Sequence, residues 1–271
     1  MGQTVLTVND IPALKPESYR ALGSSGIKIS PFGLGTVKFG RNTGLKYPAQ
    51  FALPTDNQLE KLLLVAKELG INFLDTAPAY GTSEERLGKL IRSSREHWVI
   101  STKVGERFSE GNSTYDFNTK TITNSLEYSL RMLETDYLDL VLVHCNKQDV
   151  DNLKNTDVIP VLRKYQEKGY IRMIGASTNS VEGGLLALDE LDTAMITYNQ
   201  NDTEQDQVIK KAEQLNKGVI LKKVFDSGQA VDSFQALKFA MSSPAVTSAV
   251  IGTINPEHLR ENIQAMLRAT Q

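Results

Sequence analysis

Short continuous apolar runs alternate with amphipathic segments along nearly the whole chain, and this alternation restricts the possible folds more than any other feature. An apolar run without polar interruption is typical of a strand buried on both faces, as in a parallel sheet. Between two such runs, the apolar residues from Leu59 to Leu69 recur at i, i+3, i+4 and i+7, which predicts a helix with one face on a sheet. The pattern predicts an α/β protein.

Eight strand and helix pairs fit the chain after a hairpin predicted at residues 20–30, where two strand-like pieces flank a glycine and serine turn. The strands are predicted at 32–37, 72–77, 98–104, 138–144, 171–176, 194–198, 219–224 and 248–251. The helices are predicted at 56–69, 83–91, 119–134 (after a long loop), 158–168, 180–190, 206–216, 232–242 and from Asn255, where Pro256 and Glu257 suit a helix start. Eight such units in ~240 residues predict a (β/α)₈ TIM barrel, with residues 1–271 as one domain and 1–18 irregular.

The main alternative is an open, doubly wound sheet of the dinucleotide-binding type. That fold requires a G-x-G-x-x-G turn between its first strand and helix. Here Gly33 and Gly35 are followed by no glycine until Gly40, and no helix is predicted to start between them. The barrel is therefore the favoured interpretation.

Composition excludes several classes of partner. With 30 basic and 32 acidic residues in 271, the net charge of -2 creates no field that would attract nucleic acid or an anionic membrane. One cysteine, Cys145, excludes an internal disulfide and fits a reducing compartment. No apolar run reaches the ~20 residues of a membrane span, and the first residues lack a signal-peptide pattern. We therefore expect a cytoplasmic protein with a small-molecule partner and no membrane contact; its oligomeric state stays open.

Polar residues end three of the apolar runs, at Asp75, Lys103 and His144, and Tyr80 follows the first of them. Function in such barrels lies at the carboxyl ends of the strands, so these four side chains are expected to share a pocket. A phenol, with a pKa of ~10, is a slow proton donor near neutrality. A neighbouring ammonium stabilises the phenolate, a carboxylate holds the ammonium, and an imidazole can orient a carbonyl oxygen.

Each of these residues also has a structural interpretation when taken alone. Asp75 would cap a turn, Tyr80 would be a surface aromatic, and the lysine and histidine would bond to carbonyl groups. Their joint position at adjacent strand ends favours the catalytic interpretation. No metal site is expected, because His97, His144 and His258 lie far apart and lack ligand spacing.

Several motifs, in order along nearly the whole chain, resemble the aldo-keto reductase superfamily. They are Asn72-Phe-Leu-Asp75-Thr-Ala-Pro-Ala-Tyr80-Gly81-x-x-Glu84-x-x-Leu87-Gly88, Ser101-Thr-Lys103-Val, Ser129-Leu-x-x-Leu133-x-x-Asp136-Tyr-Leu-Asp-Leu, His144, Gly169-x-Ile-Arg172-x-Ile-Gly175-x-Ser177, Ile251-Gly-Thr253 and Glu261-Asn262. The resemblance implies the barrel with a hairpin over its bottom and a tetrad of Asp75, Tyr80, Lys103 and His144. It also implies hydride transfer from NAD(P)H, with Tyr80 as the general acid in reduction and the base in oxidation.

The resemblance further implies cofactor contacts at Ser177, Thr178, Gln200, Leu221, Lys222 and Lys223. Ser177 and Gln200 match positions that bond the nicotinamide amide, whereas Thr178 replaces a common asparagine. An aromatic residue that usually stacks on the nicotinamide after strand seven is replaced by the stretch 221–223, similar to a subgroup with K-K-x-x-x-S-G at 222–228. The two lysines are expected to meet the pyrophosphate or, alternatively, to form a solvated turn.

The implied cofactor positions near the end of the chain are Gly252, Thr253, His258, Glu261 and Asn262. Members that hold a 2′-phosphate usually carry a lysine and an arginine where this chain has Gly252 and His258. Loss of two cations weakens a preference for NADP, since charge-assisted hydrogen bonds are the strong ones. Thr253, Asn262 and the helix start at Asn255 still offer phosphate contacts. We expect NADP, with NAD as the alternative.

Three functions are compatible with the sequence. The first is a reductase of aldehydes or ketones, or a dehydrogenase of the matching alcohol or sugar, with an open site because the chain ends directly after its last predicted helix. The second is a regulatory or subunit-like protein that binds nicotinamide cofactor with little turnover. The third, a barrel isomerase or aldolase with Lys103 as a Schiff base, lacks the expected phosphate-binding glycine loops.

Overall fold

Eight parallel strands close into a barrel, with helices between them along the chain. This computed structural model describes residues 11–45, 50–228 and 232–270. The strands are β1 (Arg20–Ala21), β2 (Lys28–Ile29), β3 (Phe32–Gly35), β4 (Phe73–Asp75), β5 (Val99–Val104), β6 (Glu106–Ser109), β7 (Asn112–Tyr115), β8 (Leu138–His144), β9 (Ile171–Ser177), β10 (Thr193–Thr197), β11 (Val219–Lys222) and β12 (Val246–Gly252). The barrel runs β3, β4, β5, β8, β9, β10, β11, β12 and closes by pairing β12 with β3, which confirms the predicted fold class.

The helices lie around this barrel and pack their apolar faces on it. They are α1 (Val37–Gly40), α2 (Asp56–Glu68), α3 (Ser83–Ile91), α4 (Thr119–Met132), α5 (Asp149–Lys154), α6 (Val158–Glu167), α7 (Val181–Glu190), α8 (Asp206–Gln214), α9 (Ser233–Ala240) and α10 (Pro256–Ala269). Asn255 caps α10 by accepting a hydrogen bond from the Glu257 amide, as its sequence predicted. None of the helices in the described ranges has both the length and the apolar character needed to cross a bilayer.

The predicted strand and helix bounds agree with the structure to within two residues, and the differences have local causes. Val37 was predicted as the end of a strand but begins α1, because the Phe39 amide already turns back to the Thr36 carbonyl. The seventh barrel strand was predicted to reach Val224 but ends at Lys222. Lys223 adopts a left-handed backbone with φ of 57°, which is incompatible with a continuing strand. Within the segment predicted to be irregular, Pro16–Ser18 form one turn of 3₁₀ helix, and residues 1–10 lie outside the described residues.

Besides α1, the β6–β7 hairpin and α5 were not predicted from the sequence. The long loop after β5 contains the antiparallel hairpin β6–β7, and α5 lies between β8 and α6. The strands of the β6–β7 hairpin are largely exposed and polar, so no apolar alternation marks them. Its turn consists of Glu110 and Gly111, both with left-handed backbone, and a glutamate-glycine pair is a weaker hairpin signal than asparagine-glycine.

The interior of the barrel is filled near its amino-terminal end. Side chains from the barrel strands meet Leu22 and Ile29 of the first hairpin in one buried cluster, together with Phe73, Leu140, Leu142, Met173, Met195 and Ile220. Asn72, just before β4, ties this hairpin down by donating to the Lys28 carbonyl and accepting from the Ser30 amide. The hairpin β1–β2 therefore seals this end of the barrel, and the carboxyl ends of the strands remain available for a site.

The contact between α3 and α4 supplies a test of this packing. A Cβ atom on Gly88 would collide with the Met132 carbonyl oxygen and lie 2.8 Å from the Leu133 carbonyl carbon. Helix propensity alone would make Gly88→Ala more stable by ~1 kcal/mol. We expect the opposite sign, a loss of about 1–3 kcal/mol in the free energy of unfolding, because backbone atoms cannot move aside.

Urea denaturation with an unchanged m-value measures this loss. Lys89→Ala, which removes only an exposed ion pair with Glu85 from the same helix, is the control and should leave stability nearly unchanged. A stabilised Gly88→Ala protein would show that the two helices do not approach this closely.

Candidate active site

A cavity of about 530 Å³ opens at the carboxyl ends of the barrel strands. The four residues predicted to be catalytic all line it: Asp75 ends β4, Tyr80 ends the following 3₁₀ turn, Lys103 lies in β5 and His144 ends β8. Residues far apart in the sequence thus meet because parallel strands place their carboxyl ends on one rim.

The position of Tyr80 depends on close packing between two backbone segments. Pro78 starts the 3₁₀ turn that ends at Tyr80, and Gly81 follows with φ of 64°. A Cβ on Gly81 would collide with the Gly40 carbonyl oxygen, and a Cβ on Gly40 would lie 2.5 Å from the Tyr80 carbonyl oxygen. These two glycines let α1 pack against the turn, so the phenol is fixed over the barrel.

Lys103 and Asp75 form an ion pair inside the barrel mouth. The Lys103 Nζ atom lies 2.6 Å from Asp75 Oδ1 and also donates to the Thr76 carbonyl at 2.9 Å. Ser101 donates to the same carboxylate oxygen at 2.5 Å. Burial opposes the ammonium charge, but Asp75 and Tyr80 outweigh it and raise the pKa of Lys103. The lysine is therefore a fixed positive charge.

The charge of Lys103 lies next to the phenol ring of Tyr80. Lys103 Nζ lies 4.8 Å from the centre of the Tyr80 ring. The sequence predicted that the ammonium makes the phenol more acidic, and Lys103 does lower the pKa of Tyr80. Burial outweighs this effect, however, and raises the pKa to about 12. Tyr80 is held as a protonated donor.

His144 faces Tyr80 edge-on, with ring centroids 6.4 Å apart. Its Nδ1 atom is buried and lies 2.6 Å from Oε2 of Glu106, although the two are not aligned as an ideal hydrogen bond. Burial lowers the pKa of His144, against the opposing effect of the Glu106 carboxylate. The imidazole is therefore neutral at neutral pH.

Sequence reasoning missed Glu106, which begins the β6–β7 hairpin. Burial disfavours its carboxylate, but His144, Ser113 and Arg41 outweigh burial and lower its pKa to about 2. Tyr115, the partner of Glu106 across this hairpin, and Arg41 also line the cavity. The one available signal was an acidic residue directly after Gly105, at the end of an apolar strand.

Four of the predicted cofactor positions, Ser177, Lys222, Lys223 and Gly252, line the same cavity. Lys222 Nζ donates to the Ser177 hydroxyl and to the Thr178 carbonyl, both at 2.9 Å. Burial first, and the charge of Lys223 next, lower the pKa of Lys222 to about 7. A half-buried amine without an anionic partner favours an anionic ligand beside it.

The structure does not bring the other predicted cofactor positions into the cavity. Thr178 is buried with an unpartnered hydroxyl, and Leu221 is fully buried in the core. Gln200 is exposed in a turn, and the Thr253 hydroxyl forms hydrogen bonds with the Asn255 backbone. On α10, His258 and Glu261 are exposed and Asn262 is half-buried. The side chain of Leu221 is thus excluded from a stacking role, because it packs between barrel and helices. In the described part of the chain, no group of three or more His, Cys, Asp or Glu side chains is arranged to hold a metal ion.

These residues fit a nicotinamide dinucleotide. The Lys222 ammonium lines the cavity and contacts only a hydroxyl and a carbonyl oxygen among the described residues, so it supplies a donor that lacks an anionic partner. The start of α10 follows the strand end at Gly252; there the Asn255 amide donates to the Thr253 hydroxyl oxygen, the Glu257 amide donates to Asn255 Oδ1, and Pro256 has no N–H. Nicotinamide, pyrophosphate and ribose groups need donors of these types.

Comparisons with known proteins agree with this architecture. The aldo/keto reductase family model matches residues 31–234. A Pseudomonas aeruginosa protein described as an aldo-keto reductase superimposes with a TM-score of 0.90 at 43% identity, over 97% of this chain and 99% of the other. L-galactose dehydrogenase of Arabidopsis thaliana is 33% identical over 163 residues, which are 58% of this chain and 47% of that protein, about half its length. D-threo-aldose 1-dehydrogenase of a Pseudomonas species is 27% identical over 241 residues, 79% of this chain and 71% of that protein.

The family match covers most of the barrel, and the structural agreement extends over nearly the whole chain. This chain therefore belongs to the aldo/keto reductase family of NAD(P)H-dependent oxidoreductases.

Proposed function

We propose that this chain interconverts small carbonyl compounds and alcohols by hydride transfer, with Tyr80 as the general acid and base. The observation that carries the proposal is the buried Asp75–Lys103 pair with its ammonium against the Tyr80 phenol, at the wall of a cavity. Proton transfer and charge stabilisation are both available at one point there. A nicotinamide cofactor, when bound, supplies or accepts the hydride.

In reduction, oxygen of the carbonyl group gains negative charge and needs a proton. The Tyr80 hydroxyl donates it, and Lys103 stabilises the phenolate that remains. Asp75 keeps the ammonium in place, because its carboxylate oxygen is held by Lys103 and Ser101 together. In oxidation the same phenolate takes the proton back from the alcohol.

The pKa of about 12 for Tyr80 suits this role. A phenol that stays protonated is ready to donate, and negative charge on it is tolerated only while Lys103 is beside it. His144, whose ring lies 6.4 Å from the Tyr80 ring, contributes by orienting the substrate oxygen. Neither step requires a Schiff base on Lys103, whose charge Asp75 already engages.

The substrate class follows from the cavity mouth and from the relatives. Polar and charged side chains line it, among them Arg41, Asn146 and Lys147. Such a lining suits a substrate with several hydroxyl groups. Two of the relatives are named as dehydrogenases of L-galactose and of D-threo-aldoses. We therefore favour a sugar or another polyol, with its carbonyl form on the other side of the reaction.

The cofactor is proposed to be NADP, with NAD as the alternative. Ser177 and Lys222 are the best-placed contacts for the nicotinamide half, because they line the cavity beside the tetrad. Thr253, His258 and the start of α10 are proposed to hold the 2′-phosphate. This site is exposed at His258, so its contribution to affinity should be modest.

The role of Tyr80 is tested by Tyr80→Phe, which removes one oxygen atom. We expect kcat for reduction of glyceraldehyde to fall by about 10²- to 10⁴-fold, while cofactor affinity measured by fluorescence stays within about twofold. Tyr198→Phe removes a hydroxyl from another buried tyrosine at a strand end, outside the cavity lining, and should leave kcat nearly unchanged. Equal turnover in Tyr80→Phe and wild type would refute the acid and base assignment, and no turnover in either would favour a cofactor-binding regulatory role.

Lys222 gives the cofactor site a pH dependence. Its pKa of about 7 means that the amine is charged below this pH and neutral above it. An anionic cofactor raises that pKa on binding, so NADH affinity should fall as pH rises above about 7, by about tenfold for one charge-assisted contact of 1.4 kcal/mol. Fluorescence titration should show this slope in wild type and in Lys164→Met, an exposed control on α6. A slope that persists in Lys222→Met would assign it to another group.

Substitution of His258 should affect the binding of NADPH but not that of NADH. Because NADH lacks the 2′-phosphate, it is the internal control for a residue proposed to contact only that group. We expect His258→Ala to weaken NADPH binding by about three- to tenfold and to leave NADH binding unchanged. Wild-type protein that binds NADH more tightly than NADPH would show that the expectation of NADP is wrong.

A further inference from the structure

Three buried hydroxyl groups form a chain of hydrogen bonds behind the wall of the cavity. They belong to Thr36, directly after β3, to Thr76, directly after β4, and to Ser83, the first residue of α3. The Ser83 Oγ atom lies 2.8 Å from Oγ1 of Thr36 and 3.1 Å from Oγ1 of Thr76. Ser83 is therefore the middle member of the chain, and it joins two strand ends to the start of a helix.

Each hydroxyl group has one proton, and this fixes the direction of the chain. Thr36 Oγ1 donates to the Asp75 carbonyl at 2.9 Å, so it accepts from Ser83. The Ser83 proton then points at Thr36, whose backbone carbonyl oxygen also lies 3.0 Å from Ser83 Oγ. Because that proton is already used, Ser83 accepts from Thr76. The bonds run from Thr76 through Ser83 and Thr36 to the Asp75 carbonyl.

A serine near the start of a helix commonly caps it by accepting a hydrogen bond from a backbone amide of the first turn. In α3 the capping position is held by Thr82, whose side chain makes no such bond. The hydroxyl of Ser83, one residue later, bonds instead to Thr36 and Thr76 at the ends of two strands. Helix capping therefore does not account for this serine.

The Ser83 hydroxyl closes the base of residues 76–83, the loop that carries Tyr80. Thr76 and Ser83 are the two ends of this loop, and the contact between their side chains joins them. The backbone bond from the Tyr80 amide to the Ala77 carbonyl lies within the loop and does not attach it to the barrel. The next bond of the chain, from Ser83 to Thr36, ties the base of the loop to the end of β3 as well.

The same chain reaches the residues that hold Lys103. The Thr76 carbonyl accepts from Lys103 Nζ at 2.9 Å, while the side chain of Thr76 bonds to Ser83. At the other end of the chain is the carbonyl of Asp75, whose carboxylate pairs with the same ammonium. Ser83 is thus joined, through one bond and through two, to both residues that hold the charge of Lys103.

We propose that Ser83 is a positioning residue for the proton transfer: its hydroxyl fixes the loop that carries Tyr80 to the strand ends that hold Lys103. The phenol and the ammonium then keep their relative place. Ser83 is fully buried and outside the cavity lining, so it acts through these groups and does not touch the substrate. The statement about the reaction rate rests on the proposed function, whereas the statement about the place of Tyr80 does not.

Ser83→Ala removes the middle oxygen atom of the chain. Thr36 keeps its bond to the Asp75 carbonyl, whereas the buried Thr76 hydroxyl loses the bond that closes the loop. We expect kcat for reduction of glyceraldehyde with NADPH to fall by about 10- to 10²-fold, because a displacement of ~1 Å near the chemistry has an effect of this size. NADPH affinity, measured by fluorescence, should stay within about twofold.

Ser129→Ala is the matched control. Ser129 is an equally buried serine on α4, and its hydroxyl has no hydrogen-bond partner among the described residues. The variant removes the same atom without breaking a bond of the chain, so kcat should be unchanged. A wild-type kcat in Ser83→Ala, or an equal fall in both variants, overturns the proposal.

A double variant separates positioning from a general loss of structure. If Ser83 acts through the phenol, Ser83→Ala should lower kcat no further in a protein that already carries Tyr80→Phe, because residues that act as a unit are not additive. A second fall of the same size in that protein would show that Ser83 acts on the enzyme in some other way, and the proposal would then be wrong.

Carbon-13 NMR of tyrosine labelled at Cζ tests the place of the phenol without any ligand. The chain has nine tyrosines, and the signal of Tyr80 is identified by its loss in Tyr80→Phe. We expect this signal to shift or broaden in Ser83→Ala and to keep its wild-type position in Ser129→Ala. A Tyr80 signal that Ser83→Ala leaves in place overturns the proposal, whatever the kinetics.

Should Ser83→Ala not fold, Thr76→Val takes its place in each measurement, since it removes the first hydroxyl of the chain with little change of shape. An unmoved Tyr80 signal in Thr76→Val then overturns the proposal. If the wild-type protein turns over no glyceraldehyde, the proposed function fails with this substrate, while the NMR result still decides whether Ser83 places Tyr80.

Discussion

The ion pair between Lys103 and Asp75 is the interaction on which the rest of the site depends. Two charges in a protein interior are tolerated only when they pair with each other and their remaining donors and acceptors form hydrogen bonds. Here the barrel supplies the ammonium with a carboxylate and a backbone carbonyl, and the carboxylate with a serine hydroxyl. The lower part of the barrel holds a buried apolar cluster and is sealed by the β1–β2 hairpin. The charged groups are thus confined to the one end where a ligand can reach them.

The barrel and the tetrad could be predicted from the sequence because both rest on local patterns. A buried strand has an apolar run as its sequence pattern, and a polar residue at the end of that run can be identified without any tertiary information. The positions of the cofactor residues were harder to predict. Leu221 and Lys222 are neighbours in the sequence, but successive residues of a strand face opposite sides of the sheet. Leu221 therefore lies in the core, whereas Lys222 lines the cavity. The sign of the net pKa shift of Tyr80 also lay beyond the sequence, since it depends on how far burial outweighs a nearby charge.

Glu106 shows the same limit from another direction. Its hairpin has no apolar pattern. Glu106 matters because it contacts His144, which lies 38 positions later in the chain; the folding of the barrel brings the two side chains to 2.6 Å. Two lysines that line one cavity then take different roles. Lys103 is neutralised by Asp75, whereas Lys222 contacts only a hydroxyl and a carbonyl oxygen among the described residues. The first holds charge in place, and the second is available for an anion.

The two ends of the β6–β7 hairpin lie close together where the chain leaves the barrel and returns to it. Gly105 precedes the hairpin with φ of 104°, and Asp116 follows it. The Asp116 amide donates to the Gly105 carbonyl at 2.9 Å, and the Phe117 ring occupies the space where a side chain on Gly105 would lie. The excursion is therefore closed at its base, and its tip at Glu110 and Gly111 extends into solvent. Such a unit can be exchanged between homologous barrels as a cassette, which makes it the natural place for evolution, or for a protein engineer, to alter selectivity without disturbing the scaffold.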